Sequence, residues 1–267
     1  MHSLSPSDLN ILLVEPSAMQ RKLITQQLQQ ESVVAIDQVT GRQQALERIR
    51  AVRPDLVISA LHYADGSAVE LLQQIRSDAE LEQLPFMLVS SETRREQLES
   101  FKQSGVVAIL PKPFTRAHLG KAINATLDLL SHEELELELY DAESVRVLVV
   151  DDSRMARKVI IKVLNNLGIH RIREAVDGAD ALQQLEQNTF DLVITDYNMP
   201  QVNGLELTEQ IRQSDNFNHL PIMMVSSEAN DAHLCHVSQA GVDAITDKPF
   251  EPELVKQLLA RLLDDDS

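Results

Sequence analysis

At 267 residues the chain is long enough for two ordinary domains, and an apolar content of 43% gives each a core. The net charge of −17 is spread over both halves, with 13 Lys/Arg against 19 Asp/Glu through Tyr140 and 11 against 22 beyond it, which excludes a basic surface for a phosphate backbone. Aromatic residues make up 3% with no Trp, which disfavours base-stacking surfaces, and the one cysteine, Cys235, excludes an intrachain disulfide or a Cys-rich zinc site. No apolar run reaches the length of a membrane span, and residues 1–8 lack the charged and apolar segments of a signal peptide, so the expectation is a soluble cytoplasmic protein without nucleic-acid or membrane partners.

Taken in order, short apolar runs alternate with helical patterns. Strands are expected near 10–15, 33–38, 55–60, 85–90 and 107–111, with helices between them and a last helix opening near Thr115. An acidic stretch without Lys or Arg, residues 132–144, marks a junction, and its Glu/Leu alternation over 134–139 leaves a helix extension and a solvated linker both open. The same plan then repeats, with strands near 147–151, 171–175, 190–196, 221–226 and 243–247. Arg154 to Leu167 carries apolar residues at three- and four-residue steps, with Gly168 just beyond as a C-terminal stop.

The repeat has a fixed offset. Ile11–Glu15 (ILLVE) matches Val147–Asp151 (VLVVD), Asp55–Ser59 (DLVIS) matches Asp191–Thr195 (DLVIT), and Lys112–Phe114 (KPF) matches Lys248–Phe250 (KPF), each 136 residues apart. A duplication explains this, with copies over 1–132 and 145–267 joined by 133–144. The period is too long for a solenoid, so each copy is expected to fold by itself as a βα-alternating, parallel-sheet domain.

In the second copy Asp151 and Asp152 end strand one, Asp196 ends strand three, Ser226 ends strand four and Lys248 ends strand five. Parallel strands bring all five to one sheet edge, where open α/β sheets bind ligands. Carboxylates crowded there repel by about 4 kcal/mol per pair at ~4 Å and an effective dielectric near 20, so the cluster calls for a cation. Oxygen ligands with room for water suit Mg²⁺. Asp196 then has the character of a nucleophile toward a phosphoryl group, with Lys248 and Ser226 as stabilisers of the phosphoryl oxygens. Singly, a surface lysine, a strand-end hydroxyl and a turn aspartate are the simpler readings; four strand ends converging favour the site.

The set Val150–Ser153 (VDDS), Asp196–Pro200 (DYNMP), Val225–Glu228 (VSSE) and Lys248–Phe250 (KPF) resembles the receiver domain of two-component response regulators, closest to the single-domain chemotaxis type. The resemblance spans 145–263 and implies a doubly wound, flavodoxin-like (βα)₅ fold with strand order 2-1-3-4-5 in each copy. It implies Asp196 as phosphoacceptor, fed by a histidine kinase or histidine phosphotransfer protein, and Mg²⁺ held by Asp151, Asp152, Asp196 and the Asn198 backbone carbonyl. It further implies a cis Lys248–Pro249 bond, Asn198 and Glu228 as residues that tune dephosphorylation toward a short-lived phosphoryl group, and Ser226 as a switch residue. Ile245 departs from the family's pattern: it stands where an aromatic switch residue is usual.

The offset maps Asp151 to Glu15, Asp152 to Pro16, Asp196 to Ala60 and Asn198 to His62, while Ser90 and Lys112 persist. The first copy is therefore expected to be a pseudo-receiver without phosphorylation, acting through a surface toward the second copy, a second chain or a partner, with its fourth and fifth helices as the expected face. Asp65 is not placed at a site by anything in the sequence. His233, Cys235 and His236 read as a helix surface and Asp264–Asp266 as a solvated tail. The function expected is phosphorylation-dependent protein–protein signalling, with the output in another protein because no effector domain follows residue 263. Two rival readings stand beside it. One is the regulatory part of a longer protein with a catalytic output such as cyclic-dinucleotide synthesis. The other is an aspartyl-phosphate phosphatase, which would need an Asp-x-Asp pair where Asp196-Tyr197-Asn198 stands.

Overall fold

Runs such as Leu56–Ala60, Phe86–Ser90, Leu192–Asp196 and Ile222–Ser226 are buried at every position, the mark of strands covered by helices on both faces of a sheet. The structure, a computed structural model, describes residues 4–92, 98, 101–131, 141–226, 240–248 and 252–264. It divides into two compact units, Met1–Ser131 and His132–Ser267.

The first unit holds β1 (Asn10–Val14), α1 (Ala18–Gln30), β2 (Ala35–Val39), α2 (Arg42–Val52), β3 (Leu56–Ala60), β4 (His62–Tyr63), β5 (Gly66–Ser67), α3 (Ala68–Ser77), β6 (Phe86–Ser90), β7 (Ala108–Pro111) and α4 (Arg116–Leu130). The second holds β8 (Arg146–Val150), α5 (Arg154–Asn166), β9 (Arg171–Ala175), α6 (Gly178–Gln187), β10 (Leu192–Asp196), α7 (Gly204–Gln213), β11 (Ile222–Ser226), β12 (Ala244–Asp247) and α8 (Pro252–Asp264). The sheets run β2-β1-β3-β6-β7 and β9-β8-β10-β11-β12, all pairs parallel, which is the 2-1-3-4-5 order in both units. Asp141–Ser144 of the junction is a short turn that closes on β8, and residues 132–140 lie outside the described residues.

Alternation along the strands feeds two cores. In the first unit Ile11, Leu13, Ile58 and Val89 face α1 and α4, while Leu12, Val14, Val57 and Leu88 face α2 and α3. In the second, Leu148, Val150, Val193 and Ile222 pack on Leu185, Leu207 and Ile211 of α6 and α7. Asp55 and Asp191 fasten the strand starts in equivalent ways: each carboxylate accepts from the backbone N–H of the first β1 or β8 residue at 2.8 Å. Arg76 and Arg212 are a second matched pair. Each guanidinium donates to backbone carbonyls of the loops before β6 or β11 and before β7 or β12, satisfying loop groups that burial would otherwise leave without partners.

The β4–β5 hairpin is not among the expected strands, and among the described residues it occurs in the first unit alone. Asp65, which nothing in the sequence assigns to a site, has a structural role. Its carboxylate accepts from the N–H groups of Arg42 and Gln43, both at 2.9 Å, and so caps α2 from a distance; a Cβ on Gly41 would lie 2.5 Å from Asp65 Oδ1. The helix-stop position differs between copies. Gly168 takes φ +86° after α5, whereas its counterpart Ser32 holds φ +69° after α1, where a Cβ is strained. Replacing Ser32 with Gly is expected to stabilise the first unit by roughly 1 kcal/mol in urea unfolding. A loss of stability would show that Ser32's side chain, not its backbone, matters there.

Candidate functional site

The register builds the site. Thr195 lies opposite Val150, and Asp196 opposite Val225, so the residues just past β8, at the end of β10 and at the end of β11 meet at one edge. Three backbone bonds tie that edge together: Asp151 N–H to Ala175 O at 3.2 Å, Tyr197 N–H to Val225 O at 3.1 Å and Lys248 N–H to Ser226 O at 2.8 Å. Lys248, buried at 5% exposure, reaches back from β12 to place its Nζ 2.7 Å from Asp151 Oδ2 and 3.0 Å from Asp196 Oδ1. Asp151 Oδ1 accepts from the Ser153 N–H at 2.8 Å, and Ser153 in turn caps α5.

Electrostatics follow from burial. Asp196 is 1% exposed, and desolvation pushes its carboxyl up to about 6, with Lys248 opposing and Asp151 adding to the rise. Desolvation raises Asp151 too, against the pull of Lys248. Burial works against the charge on Lys248, but the two carboxylates outweigh it and hold the ammonium above the ordinary lysine value. At neutral pH Asp196 is therefore ionised and poorly solvated.

Oxygens of Asp151, Asp152 and Asp196 lie within 4.8 Å of one another. Three carboxylates face one ammonium, leaving a local charge of −2. Asp196 Oδ2 is buried without a hydrogen-bond partner. An orphaned carboxylate oxygen in a cluster with two excess negative charges fits a hard divalent cation such as Mg²⁺.

Of the other candidates, Ser226 is buried at the β11 end, and Asn198 is exposed in the turn two residues past Asp196. Ile245 is half-buried on β12 opposite Met224. Glu228, the Lys248–Pro249 bond and the His233, Cys235 and His236 group fall outside the described residues. The counterpart Lys112–Pro113 bond is cis.

Two site residues escaped the sequence reading. Arg157 donates to the Asp151 carbonyl at 2.6 Å and to Glu174 at 2.8 Å, pinning the backbone that carries the acidic pair. Gly204 opens α7 against Asp196: an added Cβ would stand 2.1 Å from the Asp196 carbonyl oxygen, so only Gly fits. A glycine eight residues past the acidic strand end was the available signal, and its counterpart in the first copy is Ala68.

The first unit's edge is closed by its own residues. Lys112 Nζ binds Glu15 Oε2 at 3.0 Å, while Glu15 Oε1 accepts from the Ser17 N–H at 2.9 Å. Ala60 offers no side-chain oxygen there. Ser59 points elsewhere, its hydroxyl bonded to Tyr63 and to the Ala60 carbonyl.

The chain matches the sequence model of the response regulator receiver domain twice, over residues 11–124 and 147–260, and belongs to that family. It is a two-component response regulator with two receiver domains in tandem. It is 34% identical over 122 residues to chemotaxis protein CheY-3 of Vibrio cholerae, covering 46% of this chain and 94% of that protein. To chemotaxis protein CheY1 of Helicobacter pylori it is 37% identical over 120 residues, covering 45% of this chain and 97% of that one. A solved two-component response regulator/GGDEF domain protein aligns at 24% identity and a TM-score of 0.42, covering 96% of this chain and 99% of that one. No helix among the described residues is long and apolar enough to cross a membrane.

Because the folded pKa of Asp196 is raised, its contribution to stability is complete below the unfolded value near 4 and is lost as pH rises through about 6. Mg²⁺ is therefore expected to raise the melting temperature of the second unit more at about pH 7.5 than at about pH 5. Asp196→Asn is expected to raise the metal-free melting temperature by several degrees and to remove most of the Mg²⁺ effect, on the order of a few kcal/mol of relieved repulsion. Scanning calorimetry checks both; a Mg²⁺ shift independent of pH would contradict the charge balance described.

Proposed function

We propose that the second receiver accepts a phosphoryl group on Asp196 from the phosphohistidine of a histidine kinase or phosphotransfer protein, and that the first receiver has kept the fold without the reaction. The observation that carries this reading is the divided state of the Asp196 carboxylate: Oδ1 is held by Lys248, and Oδ2 is buried without a partner.

The chemistry asks little of the protein beyond placement and charge. An Asp196 oxygen attacks phosphorus, a P–O bond forms, and the bond from phosphorus to the donor's nitrogen breaks as the donor leaves. No general base is needed, since the nucleophile is already ionised. Lys248 is placed to follow the negative charge onto a phosphoryl oxygen, and Ser226 supplies a hydroxyl for another. Asp151, Asp152, Asp196 and the Asn198 carbonyl are the residues that would hold Mg²⁺. When bound, Mg²⁺ supplies the positive charge that balances the acidic cluster and the incoming phosphoryl group.

Output then passes to a partner protein through a change that starts at Ser226, in a cytoplasmic signalling protein whose phosphoryl lifetime is kept short by Asn198 and Glu228. Ile245 puts no aromatic ring on β12, so the change is carried by the Ser226 side rather than by a ring turning inward. Ile109 occupies the same place in the first copy.

Incubation with Mg²⁺ and a small-molecule phosphodonor, followed by intact mass, is expected to show one phosphoryl group per chain, lost in Asp196→Asn and reduced at least tenfold in rate in Lys248→Ala, about 1.4 kcal/mol or more of transition-state stabilisation. An adduct that survives Asp196→Asn, or no adduct at all, overturns the assignment.

A further inference from the structure

A cavity of about 960 Å³ opens in the second unit at the N-terminal ends of β8, β9 and β10, the sheet edge opposite the carboxylates. Its wall gathers Arg146, Arg171, Arg173, His170 and His219 against Glu186, a local reversal of sign in a chain of net charge −17. Arg146 is already committed to Asp191, with guanidinium–carboxylate distances of 2.6 and 2.9 Å. Arg171 and Arg173 are exposed and two residues apart on β9, so their side chains leave the same face about 7 Å apart. Arg171 adds to the pull of Arg146 that holds Asp191 ionised, whereas the side chain of Arg173 makes no hydrogen bond or ion pair among the described residues. Phe217 and Leu220 add apolar wall.

The duplication supplies a control. The positions of His170, Arg171, Arg173 and His219 are Val34, Ala35, Asp37 and Gln83 in the first copy. Asp37 there is neutralised by Arg48 at 2.9 Å. An Arg53–Glu80 ion pair links the two loops whose second-copy counterparts, Thr189 and Asn216, line the cavity. Both the open cavity wall and its charge thus belong to the second copy's own sequence. Each guanidinium can grip a phosphate or carboxylate through two parallel N–H donors, so two of them side by side suit a ligand with two such groups, and the volume is that of a small-molecule site. The strongly acidic remainder of the chain repels a nucleic-acid backbone.

We propose that this cavity binds a small polyanion, a molecule with two or more phosphoryl or carboxylate groups on an apolar body, gripped by Arg171 and Arg173.

The test is calorimetric titration of the full chain in metal-free, low-salt buffer with three probes. Pyrophosphate presents charge alone, adenosine diphosphate adds an aromatic body to similar charge, and benzene-1,3,5-tricarboxylate presents carboxylates. One-to-one saturable binding of at least one probe is expected with Kd below about 1 mM, weakened about tenfold or more in Arg171→Gln/Arg173→Gln. It should be unchanged in Lys22→Gln/Arg50→Gln, which removes the same charge from the first unit. The preferred probe distinguishes a phosphorylated from a carboxylated ligand. Single Arg173→Gln, which breaks no contact among the described residues, gives the same answer should the double variant fold poorly. Absence of saturable binding by all three probes, or equal losses in the two double variants, overturns the proposal.

Discussion

One buried ammonium between two buried carboxylates governs the second receiver. Lys248 stands 2.7 Å from Asp151 and 3.0 Å from Asp196, and it can satisfy neither the third carboxylate nor the outer oxygen of Asp196. Burying acids in this way is unfavourable unless something else completes the charge balance. The fold accepts that penalty at the one edge where parallel strands end together, and it does so with the whole hydrophobic sheet as foundation. Strand register, the Arg157 clamp on the Asp151 carbonyl and the absence of a side chain at Gly204 all serve to hold this arrangement.

The first receiver shows the same frame with the imbalance removed. Glu15 is one methylene longer than Asp151 and, among the described residues, alone engages Lys112, so one acid meets one base. Pro16 contributes no side-chain oxygen and Ala60 no nucleophile. What persists is architectural: Asp55 and Asp191 at strand starts, Arg76 and Arg212 at the loops, Arg21 and Arg157 donating to the carbonyls of Glu15 and Asp151. Those shared residues carry the fold, while the replacements at Glu15, Pro16 and Ala60 remove the acidic cluster.

The inner sheet strands were legible because each is a short apolar run whose neighbours are polar or turn-forming, and the repeat supplied a second reading of every boundary; the edge strands β2 (AIDQV) and β9 (RIREA) are mixed in composition and stood out through the strand–helix alternation and the repeat. The convergence of Asp151, Asp196, Ser226 and Lys248 was legible for the same reason, since strand ends in a parallel sheet share an edge. The β4–β5 hairpin was not, because His62–Ser67 has no apolar alternation and pairs over only two residues on each side. Asp65 and Gly204 were missed for a related cause. Their roles depend on contacts with α2 and with the Asp196 carbonyl, which no local pattern encodes. The arginines of β9 sat unremarked in the sequence because a cavity exists only once Thr189, Asn216 and the strand edge are brought around them.

The central claim is that one receiver keeps an uncompensated acidic cluster while the other cancels its own charge. Counting Mn²⁺, a paramagnetic stand-in for Mg²⁺, by electron paramagnetic resonance addresses it directly. The account predicts a single tight ion per chain, abolished by Asp151→Asn and untouched by Glu15→Gln. Two equivalent ions per chain, or one ion that survives Asp151→Asn and disappears with Glu15→Gln, would contradict it.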